Sequence, residues 1–159
     1  MFVVRKYTFI APVSLITALL VSGCNENKIT QCQKLIQVVN QGTSLIENNK
    51  GQQVTTSIQL SKDLENVTKS LQELKLSDQK LQQYQGSFAQ VFQNLSQAIA
   101  KAATALNTAK SAEASPDGRL KIQKARTEID TALTNAAKTA GKQSDTLGAQ
   151  LNQYCTQPQ

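Results

Sequence analysis

From Ile29 to Tyr154 apolar residues recur every three or four positions, and no alternating pattern competes with them. That spacing predicts helix throughout this stretch. The first run is Ile29, Cys32, Ile36, Val39, Thr43 and Ile46, and Asn48-Asn49-Lys50-Gly51 reads as a helix end followed by a turn. The second is Leu60, Leu64, Val67, Leu71 and Leu74. Ser77-Asp78 reads as a cap plus a first-turn acid opening a third helix. Its run is Leu81, Tyr84, Phe88, Val91, Leu95, Ala98, Ala102, Ala105 and Ala109, with Gly86 inside it at about 1 kcal/mol relative to Ala. Ser115-Pro116-Asp117 supplies a cap, a proline at the first helical position and an acid. The fourth run follows: Ile122, Ala125, Ile129, Ala132, Ala136, Ala140, Ser144, Leu147, Leu151 and Tyr154.

The expected fold is all-α, an antiparallel up-down-up-down four-helix bundle with short helices 1 and 2 and long helices 3 and 4. Helices 1 and 2 should each have about 20 residues, or roughly 30 Å, and helices 3 and 4 about 35, or roughly 50 Å. The long pair should project around Ala102–Arg126, where the seam turns to alanine. Alternatively, the short helices tilt and cover it. Fusing helices 1 and 2 across Gly51 gives a rival three-helix chain. In it Cys32 and Cys155 would lie far beyond the 4.4–6.8 Å that a disulfide allows between Cα atoms. Four antiparallel helices bring them to one end.

The segment before the first run is different in kind. Arg5 and Lys6 make a positive start, and Thr8–Leu20 is an apolar run of about 13 residues, short of the roughly 20 that cross a bilayer. Small residues close it, as in a secretory signal. Val21-Ser22-Gly23-Cys24 resembles the lipobox of bacterial lipoproteins. The resemblance implies cleavage after Gly23, a diacylglycerol thioether on Cys24 and acylation of the new amino terminus. Ordinary signal cleavage, with Cys24 left as a free thiol, is the alternative. The expected organisation is a signal peptide at 1–23, a membrane tether at 24–28, the bundle at 29–155 and a disordered tail at 156–159. With Cys24 lipidated, Cys32 and Cys155 remain as an even pair, expected as a disulfide because exported proteins meet oxidising conditions. Two buried or capped thiols are the plainer alternative.

Composition narrows the chemistry. The chain has 17 Lys and Arg, 11 Asp and Glu, no His and one Met. Loss of Arg5, Lys6 and Met1 leaves 15 basic against 11 acidic residues, a net charge of +4, and no Met. Di-iron bundles need Glu-x-x-His pairs, and haem usually takes His, Met, Cys or Tyr, so neither metal nor cofactor is expected beyond the lipid on Cys24. No histidine can act as a general base, and the acid pairs Asp63/Glu65 and Glu128/Asp130 are spaced by two, on different helix faces. No catalytic residue is assigned and no enzyme is expected.

Two features suit binding. Tyr84, Phe88 and Phe92 form a stripe spaced by four, either core packing or the wall of an apolar groove. Eight basic residues lie between Lys101 and Lys142, and Lys110, Arg119, Lys121, Lys124 and Arg126 form a candidate patch for an anionic partner. Solubility is the plainer reading of these charges, and export argues against nucleic acid. The lipobox resemblance therefore implies a lipid-anchored protein facing the periplasm, the lumen or the cell exterior. It would serve as a scaffold, adaptor or accessory subunit, with a membrane and a protein or anionic envelope component as partners. A carrier of small apolar ligands is the alternative. In signal, size and helix number the chain also looks like the lipid-anchored, four-helix Q-type extrinsic subunit of photosystem II in cyanobacteria, without a shared motif.

Overall fold

The computed structural model describes residues 26–49 and 54–157. It is all-α, with four helices and no strand among the described residues: α1 (Lys28–Asn48), α2 (Val54–Glu73), α3 (Gln79–Lys110) and α4 (Pro116–Thr156). They contain 21, 20, 32 and 41 residues. The leader at 1–23, Cys24 and the expected turn at Lys50-Gly51 lie outside the described residues. No described helix is long and apolar enough to cross a membrane.

Each described start has a chemical cause. Asn27 caps α1 by accepting from the Thr30 amide at 2.8 Å, satisfying one of the orphan donors of the first turn. Asp78 caps α3, accepting from the Lys80 and Leu81 amides at 2.8 and 2.9 Å. The cap is thus Asp78 and not Ser77, because Ser77 is occupied by Gln31, described below. Ser115 caps α4 through the Gly118 amide at 3.0 Å, with Pro116 opening the helix as its fixed φ favours. The α3–α4 connection is tight enough that a Cβ at Gly118 would sit 1.8 Å from the Glu113 carbonyl oxygen.

Packing is uneven. α3 is the central helix, lying along α2 on one side and α4 on the other, and α2 and α4 do not meet among the described residues. Leu64, Leu71, Leu81, Phe88 and Phe92 are almost wholly buried where α2 and α3 meet α1. Ser61 and Ser96 let α2 and α3 approach closely. The Ser61 hydroxyl donates to the Ser96 carbonyl at 3.0 Å, and the Ser96 hydroxyl donates to the Ser61 carbonyl at 2.7 Å.

α1 is rotated from the expected face. Ile29 is 61% exposed and Thr43 is exposed, whereas Leu35 and Gly42 are buried. Apolar residues come in adjacent pairs here (Leu35/Ile36, Val38/Val39, Leu45/Ile46), so periodicity alone leaves the rotation open. Packing decides it: Gly42 faces the Phe92 ring, and a Cβ at Gly42 would lie 2.5 Å from the ring tip.

Two glycines should consequently respond in opposite directions. Gly86 is exposed in mid-helix and a Cβ there meets nothing within 4 Å, so Gly86→Ala should stabilise by about 0.5–1 kcal/mol. Gly42→Ala should destabilise by about 1–3 kcal/mol through overpacking against Phe92. Urea-unfolding midpoints moving in the same direction would refute this account of how α1 is seated.

Candidate functional site

One end of the molecule is stitched by covalent and polar contacts. Cys32 near the start of α1 and Cys155 near the end of α4 form a disulfide with a Cα–Cα distance of 5.9 Å across 123 positions. Gln31, next to Cys32 in sequence and only 3% exposed, uses both ends of its amide. Its oxygen accepts from the Ser77 and Asp78 amides at 2.7 and 3.0 Å. Its nitrogen donates to the Glu26 carbonyl at 2.6 Å and the Ser77 hydroxyl at 2.9 Å. α1 is thereby tied to the α2–α3 turn. That turn is closed from α3 by Gln85, which donates to the Leu74 carbonyl at 2.9 Å and to the Leu71 carbonyl.

Asp78 joins α4 to the same knot. The Tyr154 hydroxyl donates to Asp78 Oδ2 at 2.7 Å, and the Tyr154 ring lies 6.1 Å from Tyr84 and 4.1 Å beneath the Lys28 ammonium. Burial alone would raise the Asp78 carboxyl. The Leu81 amide, the Tyr154 hydroxyl, the Lys80 amide and the Lys28 charge together outweigh it and hold the group below its ordinary value. Tyr154 moves upward, first because its proton is held by Asp78, then through burial and the Asp78 charge.

The aromatic stripe is part of the core: Tyr84, Phe88 and Phe92 are all buried. Phe88 also forms the floor of a small cleft of about 230 Å³ between α1 and α4, beside Ile36, Val39 and Leu151. A larger open groove of about 1040 Å³ runs between α1 and α2, rimmed mainly by carboxamides such as Gln37, Asn40 and Asn66. Among the described residues no group of three His, Cys, Asp or Glu is placed to hold a metal ion.

The basic residues lie at the α3–α4 turn, all exposed. Lys110 is in the last turn of α3, and Arg119, Lys121, Lys124 and Arg126 are in the first turns of α4. They do not form one face. At about 100° per residue Arg119 and Arg126 share one flank of α4, while Lys121 and Lys124 lie about 140–200° around from Arg119. Lys124 also faces Glu128 at 3.9 Å, a surface pair of little energetic weight. The patch is a split collar. Sequence reasoning missed Gln31, Gly42 and Gly118; a buried glutamine carries no periodic signal, and a glycine leaves no side chain to register.

Comparison of the chain with protein-family models, curated proteins and solved structures gives no match.

The knot generates two predictions. Asp78, held low, stabilises the fold fully above the ordinary carboxylate range, and this is lost as pH falls through its folded value. Tyr154, held high, stabilises fully below the ordinary tyrosine range, and this is lost as pH rises through its folded value. The stability gap between the protein and Asp78→Asn should therefore be flat from about pH 5 to about pH 9 and narrow beyond both limits. A gap independent of pH would remove the Asp78–Tyr154 bond from the account. Opening the disulfide, by reduction or by Cys32→Ala with Cys155→Ala, should cost about 5 kcal/mol by loop-closure entropy. Calorimetry showing an unchanged unfolding midpoint in reductant would contradict it.

Proposed function

We propose that the protein is a non-catalytic lipoprotein of a bacterial envelope, held to a membrane through lipid on Cys24, and that it serves a membrane-associated assembly as scaffold, adaptor or accessory subunit. The observation that carries this reading is the Cys32–Cys155 disulfide. A bridge across 123 positions fits an oxidising compartment, which is where a leader ending in Val21-Ser22-Gly23-Cys24 would deliver the chain.

The finer architecture inferred with it is up-down-up-down and antiparallel. Its support is the register of contacts: Gln85 near the start of α3 meets Leu71 late in α2, and Ser96 further along α3 meets Ser61 earlier in α2. Running that register back brings Val54, the first residue of α2, level with about Ala103. Residues beyond that level on α3, and their partners early in α4, then project past the short pair as a two-helix hairpin.

On this reading the two ends have different work. Lys28 opens α1 four residues after Cys24, so the lipid would lie within about 14 Å of the disulfide-bonded end. The hairpin with Lys110, Arg119, Lys121, Lys124 and Arg126 would reach away from the membrane, its cations available to an acidic protein surface or an anionic envelope component.

Cys24→Ala should abolish metabolic labelling by a fatty acid and move the protein from the membrane fraction to the soluble fraction, with the helical content unchanged. Retention in the membrane fraction without the lipid would sink the proposal.

A further inference from the structure

α4 carries a second apolar row besides the seam it packs on α3. Ile122, Arg126, Ile129 and Leu133 follow one another at intervals of four, three and four, which places them on one flank. Toward the disulfide the same flank continues to Leu147 and Leu151, and these pack in the core. At the hairpin end it is open: Ile122 is 44% exposed, Leu133 38%, and Ile129 is half-buried. Arg126 and Asp130 stand on this flank four residues apart, exposed, and neither has an ionic partner among the described residues.

We propose that this flank is a self-association surface, covered by the same flank of a second copy running antiparallel. The row reads the same in both directions about a two-fold axis between positions 127 and 128. Ile122 then faces Leu133 of the second copy, and Leu133 faces its Ile122. The Arg126 stem lies across Ile129 of the second copy, and its guanidinium comes within reach of Asp130 there, with the reciprocal pair on the other side of the axis. A closed two-fold contact uses one patch twice in this way. A parallel pairing is disfavoured, because it sets Arg126 against Arg126. The cations of Lys121 and Lys124 point to the opposite flank and do not oppose the contact at close range.

The patch is small. From Ile122 to Leu133 is about 17 Å of helix, less than the roughly 800 Å² per partner of a standard interface would require. Pairing is therefore weak in dilute solution and gains from confinement of many copies on a surface. The pairing itself does not rest on the lipid. One consequence does: if Cys24 anchors each copy, antiparallel pairing puts the two anchors at opposite ends, about 80 Å apart, and joins facing membranes.

The test uses the exported protein with Cys24→Ser, so that lipid plays no part, in sedimentation equilibrium over a concentration series reaching the millimolar range. Monomer–dimer exchange is expected. Arg126→Asp alone and Asp130→Arg alone should each weaken the dimer by about tenfold or more, since each sets like charges together. The double variant restores the opposite pairing and should return association to the starting value, while Lys121→Glu leaves it unchanged. Circular dichroism of each variant checks that these exposed changes leave the helices intact. A monomer at all concentrations, or a double variant no better than the singles, overturns the proposal without touching the anchoring reading, which the Cys24 fractionation tests separately.

Discussion

The rest of the structure depends on the join between the first helix and the last. α1 is short, rich in Gln and Asn, and makes its few apolar contacts through Leu35 and its neighbours. It touches α3 and α4 much less than α3 touches either of its flanking helices. Apolar burial at about 25 cal/mol per Å² gives such a helix limited hold. The Cys32–Cys155 bridge supplies what burial does not, by removing unfolded-chain freedom over almost the whole described domain. Gln31 then reinforces the rotation that the Gly42–Phe92 contact sets. Its amide oxygen satisfies two backbone donors of the α2–α3 turn that would otherwise be left wanting, and a side chain so committed cannot turn to another face. Asp78 extends the join to α4 through Tyr154 while capping α3. All four helices are thus referred to one end.

Stability runs out toward the other end. The core contains Leu, Phe and Tyr as far as Phe92, then Ile99, then Ala102, Ala103 and Ala105. Each methylene lost from a buried position forfeits about 0.8 kcal/mol, so the alanine seam contributes little per turn. What maintains the helices there is local: alanine's high propensity, the Ser115 cap and the close packing of Gly118 on the Glu113 carbonyl. Segments held by local terms occupy the low-stability end of a domain, where binding surfaces are commonly drawn from.

Helix number, three of the apolar seams and the cysteine pairing were legible in the chain because each rests on periodicity or counting. Leu60, Leu64, Val67 and Leu71 are buried as their spacing requires; in the α4 row Ala125 and Leu151 are buried and the positions between them half-buried, while Ile122, at its start, is exposed. The misreadings share a cause. On α1 the apolar residues are doubled, so a row through Ile36 and one through Leu35 fit the period equally, and the choice is made by a glycine opposite a phenylalanine. At the α2–α3 turn Ser77 and Asp78 are both good caps, and a glutamine 46 positions away selects between them by occupying Ser77. These are long-range facts, and local pattern cannot contain them. The basic cluster divides for a simpler reason. Linear clustering says nothing about azimuth, and the four residues of α4 fall on two flanks.

That division gives the collar more use than a single patch would have. Arg126 lies within the Ile122–Leu133 row, where an aliphatic stem can be buried and its charge met by an acid on the same kind of surface. Lys124 is beside Glu128, which with Lys101 and Ala105 of α3 and Thr131 and Ala132 of α4 lines a shallow valley of about 690 Å³. Small side chains make that valley unsuited to a large apolar anchor, and the solvated Lys101 ammonium in its lining suits contacts that remain wet. On the proposed reading, occupation of the arginine flank by a second copy leaves the lysine flank open. One hairpin could then engage a sister molecule and an anionic component at the same time without competition between them, which is what a non-catalytic adaptor requires of two helices.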